Sequence, residues 1–139
     1  KGRISLSIKY ALLDAAVIMA ASLAVLQILT GPIVGIFSLG EESRALCITA
    51  VHIITCGYLF VGANIILQGV CQALGNGVYS LIISMLRYAV IVLPLAYVFA
   101  RTPWAETLVW TALPIAEAAA CVVAALLTRR LYRRRVSVL

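Results

Sequence analysis

Four ionisable side chains lie inside otherwise apolar stretches of the sequence: Asp14, His52, Arg87 and Glu117. An ionised group at the centre of a bilayer costs about 2.5–3.5 kcal/mol on insertion scales, so each needs an opposite charge, a hydrogen-bonding neighbour or water. Arg87 and Glu117 flank a turn at Thr102 and Pro103, and reflecting position 87 through that turn gives position 118. An antiparallel hairpin therefore sets both at about the same depth, roughly 15 Å from its open end at 1.5 Å per residue. The spacing predicts that they pair across the hairpin or share a polar cavity. Such a pair can serve an ion pathway, or merely lock two helices together. Asp14 shares a helix face with Ser7 and Tyr10, while Lys9 points away. Three placements suit it: lining a cytoplasmic vestibule, pairing with Arg87, or reaching the headgroup region. His52 and Cys56 are spaced to bind a metal together, but two ligands make no site; a hydrogen-bonded histidine is the simpler reading.

Amide side chains form a second pattern. At 100° per residue, Gly57, Asn64, Gln68 and Gln72 fall within about 80° of one another, with Cys71 at the edge and His52 on the other side. Amides on one face of a membrane helix require a wet cavity or another polar helix. This face is the candidate lining of a translocation path; the packing alternative is a set of interhelical hydrogen bonds worth about 0.6 kcal/mol each.

The elements that must position these residues follow from composition. The chain has 139 residues, 64% hydrophobic and 12% charged, with mean hydropathy +1.10. A soluble domain carries about a quarter charged residues, and the apolar runs here match the roughly 20 residues that cross a bilayer. The fold class expected is all-α: a polytopic membrane protein with spans over about 7–38, 45–74, 79–100 and 104–128, and a basic tail over 129–139. Pro32 kinks or ends the first span, Gly75, Asn76 and Gly77 form a turn, and Pro94 and Pro114 lie inside later spans, as membrane helices tolerate. Lys1, Arg3, Lys9 and the five tail arginines fall on one side, and only Arg44 and Arg101 on the other. This bias predicts a multi-pass protein of the cell membrane with both ends of the chain in the cytoplasm.

The net charge of +6 sits mostly in that tail. Placed just after an apolar run, it is a membrane anchor that can touch anionic lipid headgroups, which argues against nucleic acid as a partner. The four cysteines, Cys47, Cys56, Cys71 and Cys121, match no zinc spacing and read as packing residues. No phosphate loop, nucleophile turn or histidine-rich motif supports an enzyme. The opening Lys1-Gly2-Arg3, without methionine, suggests a piece of a longer protein.

Gln72-Ala73-Leu74-Gly75-Asn76-Gly77, then Ser84, Arg87 and Pro94, and then Trp110-Thr111-Ala112-Leu113-Pro114-Ile115-Ala116-Glu117 together resemble the C-terminal region of the multidrug and toxic compound extrusion (MATE) transporters. The stretch Ile36-Phe37-Ser38-Leu39-Gly40-Glu41-Glu42 resembles their outer loop between helices nine and ten. The resemblance covers essentially the whole chain. It implies helices nine to twelve of a twelve-helix, two-bundle antiporter that exchanges Na⁺ or H⁺ for small organic cations and needs its N-terminal bundle as partner. No cofactor beyond the coupling ion is expected. Members with a cation site in the second bundle carry an acidic residue on helix ten; this chain has none there, and Asn64 is the nearest polar residue. Other members use an aspartate of helix one, which this chain lacks. Alternatives are a four-helix multidrug transporter working as a dimer around Asp14, a flippase of the same superfamily, or an accessory membrane subunit without transport activity.

Overall fold

The computed structural model describes residues 2–135; Lys1 and the end of the expected basic tail, 136–139, lie outside the described residues. Among them every regular element is helical. Helix α1 spans Gly2–Gly35, α2 Glu41–Thr55, α3 Tyr58–Ala73 and α4 Gly77–Met85; a π-helical segment, Leu86–Val92, leads into α5, Leu93–Phe99, and α6 covers Ala105–Arg135. Among the described residues three stretches are each long and apolar enough to cross a membrane: Arg3–Gly35, Gly77–Phe99 and Ala105–Arg134. A fourth span arises if α2 and α3 are taken together. The chain is thus an all-helical, polytopic membrane protein.

Pro32 does not break α1, which continues to Gly35. The helix then unwinds: Ile36, Phe37 and Ser38 donate backbone N–H groups to the carbonyls three residues back, and Ser38 takes a left-handed φ of 49°. Pro114 likewise sits inside a continuous α6. Each proline removes one donor near a helix end or a packed face, where neighbouring helices bear the loss. Helix α6 continues past the expected boundary at 128 because arginines suit the last turns of a helix, where they complement the dipole.

The second span differs from a straight rod. Expected as one helix over 45–74, it is bent by 48° between Thr55 and Tyr58. At the break the backbone tightens: Gly57 N–H donates to the Ile54 carbonyl at 3.0 Å. A Cβ on Gly57 would lie 3.1 Å from Pro114 Cα and 3.2 Å from its Cβ. A side chain here would press on the Pro114 backbone, so glycine suits the close approach of this bend to α6.

The turn after α3 is a Schellman motif. Asn76 N–H reaches the Cys71 carbonyl and Gly75 N–H the Gln72 carbonyl, each at 2.9 Å, with Gly75 at φ 76°. Gly75→Val forces a β-branched residue into the left-handed region, at a cost of about 1–2 kcal/mol. A matching drop in the melting midpoint of the detergent-solubilised protein is expected, and an unchanged midpoint would show that the turn tolerates rearrangement.

Helix α3 is central. It packs on α1, on α4 and along α6, while α6 also covers the π segment and α5. In lipid, helices gain little from hydrophobicity against one another, so close approach of small residues carries the packing. Ala112, Ala116, Ala120 and Ala124 recur every four residues on α6 and are fully buried. Leu67, Ile83 and Ala124 form the core cluster, with Cys121 and Leu127 against it. Further along the same seam Cys71 Sγ lies 3.3 Å from Thr128 Oγ1.

Candidate functional site

The polar side chains of three spans converge where α3, the π segment and α6 meet. Asn64, Gln68 and Gln72 recur every four residues on α3, one face of one helix. Asn64 is fully buried. Its Nδ2 donates to Glu117 Oε2 at 2.8 Å and to the Glu117 carbonyl at 3.0 Å. Arg87 Nη1 donates to the same Oε2 at 3.1 Å, an ion pair whose side chains are only 11% and 10% exposed. One carboxylate oxygen therefore binds a cation and an amide at once, and the hairpin depth argument for Arg87 and Glu117 is met by direct contact.

The local fold explains the reach. Pro94 has no N–H, and its ring crowds the carbonyl four residues earlier, Val90. The helix accommodates this through the π segment just before it, and Arg87 is the second residue of that segment. Such π insertions recur at functional positions in helices. Arg87 also stacks over the Tyr88 ring at 4.4 Å, which offsets part of its desolvation. Two buried groups of the cluster, Asn64 Oδ1 and Arg87 Nε, have no hydrogen-bond partner among the described residues. Asn64 Oδ1 is an acceptor beside a carboxylate. That chemistry suits a proton carrier or a small hard cation, which seeks oxygen ligands.

Below this cluster the amide ladder continues. Gln68 Oε1 accepts from Ser84 Oγ at 3.0 Å and Ser80 Oγ at 3.2 Å, and Gln72 Nε2 donates to Ser80 Oγ at 2.9 Å. The amide face thus meets a serine face of α4. Ser84 belongs to the motif singled out in the sequence. Ser80 does not, although its spacing of four from Ser84 offered the signal. Gly57 stands apart from the ladder: it lies before α3, at the bend, against Pro114.

Other sequence candidates fall elsewhere. Asp14 is exposed and joins neither Arg87 nor any other residue in an ion pair among the described residues. Cys56 Sγ donates to the His52 carbonyl at 3.1 Å, so the two side chains do not converge on a common point as metal ligands would. Gln27, the only amide side chain of α1, was not singled out. Its Nε2 donates to the His52 carbonyl at 3.1 Å and to Thr55 Oγ1 at 2.9 Å, tying α1 to the last turn before the bend.

No curated protein and no solved structure gives a significant match to the chain. The MatE family model matches residues 1–98, from α1 into α5, so that Arg87 falls within the matched stretch and Glu117 beyond it. Since that match spans well over half of the sequence and the helices fit a multi-pass bundle, the chain belongs to the MatE family, membrane transporters of the multidrug and toxic compound extrusion kind.

Proposed function

We propose that the chain forms part of a cation-coupled antiporter that exports organic cations in exchange for Na⁺ or H⁺, together with a preceding helical bundle of the same protein. The observation that carries this reading is the single Glu117 oxygen shared by Arg87 and Asn64 at mid-depth. A proton or cation taken up by Glu117 weakens its hold on Arg87, and the freed guanidinium must find a new partner or open the seam between α6 and the π segment. Such a two-state contact is what alternating access requires of a coupling site. The loop-cation bias supports an orientation with the Gly75 turn and both ends of the chain in the cytoplasm. Asn64, Gln68 and Gln72 then form the face that shifts with the seam, with Gly57 at the bend that precedes it and Asp14 lining the path from α1.

Glu117→Gln in the intact transporter keeps the shape of the carboxyl and removes its charge. Gradient-driven efflux of ethidium from cells is expected to fall about tenfold or more at equal membrane abundance. Efflux at the wild-type rate, with unchanged dependence on Na⁺ and pH, would refute Glu117 as the coupling group.

A further inference from the structure

Asn64 is fully buried in the seam between α3 and α6. Its amide nitrogen spends both hydrogens on one residue, donating to Glu117 Oε2 at 2.8 Å and to the Glu117 carbonyl at 3.0 Å. Because both partners are acceptors, they fix which end of the amide is nitrogen. The other end, Oδ1, is an acceptor that no group among the described residues uses. The residue exposes no surface, so no further segment of the protein can touch it in this state. A buried acceptor left idle is costly, and it points to a second state in which it is used.

Glu117 can supply that state. As a carboxylate it only accepts, and its Oε2 takes hydrogen bonds from Asn64 and Arg87 while Oε1 takes none among the described residues. A proton on Oε1 turns the group into a donor. The neutral acid and the amide are then complementary. The acid C=O accepts from Nδ2, as Oε2 does now, and the new O–H donates to Oδ1. Two bonds close a ring between the side chains of α3 and α6, and the idle acceptor is satisfied. The proton comes from water and stays on Oε1; no other covalent bond forms or breaks. A hard metal cation fits the place less well. It seeks several oxygens, and it would sit beside a guanidinium 3.1 Å from the shared oxygen.

The titratable neighbours of Glu117 are Arg87 on the π segment and Cys121, one turn on along α6, whose thiol lies within reach of the carboxylate's charge. From α2, α3, α4 and α5, the other elements packed on α6, no side chain forms an ion pair with it among the described residues. We propose that Asn64 is the positioning residue for proton uptake at Glu117: its Nδ2 holds the carboxylate, and its Oδ1 receives the protonated acid as a two-bond pair. This rests on the reading of Glu117 as the coupling group, and it adds that the site takes up a proton rather than Na⁺.

The test is infrared difference spectroscopy of the purified intact transporter in detergent, acidic minus alkaline pH. Two changes are expected together. A carboxyl C=O band appears as Glu117 is protonated, and a side-chain amide C=O band moves to lower frequency as Oδ1 becomes an acceptor. Glu117→Gln is expected to lose both. Asn64→Leu is expected to lose the amide change and to raise the frequency of the acid band, which no longer has its amide partner. An asparagine that only packs the seam would leave the amide region unmoved. Protein grown with asparagine carrying heavy carbon in its side-chain carbonyl assigns the amide band without any substitution, so the question is decided even if Asn64→Leu fails to fold. A Glu117 acid band with no accompanying amide shift, or an amide shift that persists in Glu117→Gln, overturns the role of Asn64 and leaves Glu117 as the coupling group. Spectra of wild type and Glu117→Gln that do not differ remove the coupling reading and this one together.

Discussion

Glu117→Leu is expected to be the most damaging single substitution in the polar core, lowering stability by about 3–5 kcal/mol because it leaves a buried charge uncompensated. The stranded charge is Arg87, whose Nη1 loses its 3.1 Å partner while its side chain is only 11% exposed. Asn64 Nδ2 loses its 2.8 Å acceptor in the same step, though it keeps the Glu117 backbone carbonyl at 3.0 Å. The sign reverses when the arginine is removed as well. Arg87→Met combined with Glu117→Leu replaces the pair by apolar groups of similar length, and such replacements are often neutral or stabilising. The double variant is therefore expected to melt well above Glu117→Leu alone. Melting of the four proteins of this cycle in one detergent isolates the coupling between the two residues. If the double variant melts no higher than Glu117→Leu, Arg87 has another partner and the pair does not hold the helices together.

Gly57→Val is expected to produce the second large effect. A Cβ at this position would sit 3.1 Å from Pro114 Cα, a backbone atom that cannot swing aside. Two further methyl groups must either push α6 away from the bend or straighten the second span. Overpacking of this kind costs about 1–3 kcal/mol. Gly62 is tighter still: its added Cβ would meet Met19 Cγ at 2.7 Å, near the root of that side chain, so Met19 must change rotamer to make room. Gly57→Ala and Gly62→Ala, measured side by side for melting midpoint, should therefore both melt below the wild type. A wild-type midpoint for either would mean that Pro114 or Met19 yields at little cost.

Much of this was legible in the sequence, for reasons that differ by feature. The apolar runs and the Gly-Asn-Gly turn announce themselves through composition and backbone chemistry, and the turn forms where three such residues stand together. The meeting of Arg87 with Glu117 follows from counting residues along a hairpin, because two helices sharing one turn keep equal depth. The bend at Gly57 left no comparable trace. It lies in an unbroken apolar run, and a single glycine in a helix is compatible with a straight rod until Pro114 of another helix is brought against it. The partners of Gln68 and Gln72 were hidden for a related reason: Ser80 and Ser84 suit helix packing equally well, and only tertiary placement turns them toward the amides. Gln27 escaped notice because an isolated amide carries no periodicity.

The π segment of the third span carries a consequence for phase. A residue beyond the α repeat offsets everything after it by about 100° around the axis and 1.5 Å along it. A helical wheel drawn straight through Leu86–Val92 therefore assigns Leu93–Phe99 to the wrong side of the rod, although it is right for Gly77–Met85. The two halves of this span keep separate compasses. Were the insertion to be absorbed into α geometry, the later half, Leu93–Phe99, would swing by more than a quarter turn while Ser80 and Ser84 stayed in place. Arg87, at the boundary, would carry that rotation directly into its grip on Glu117.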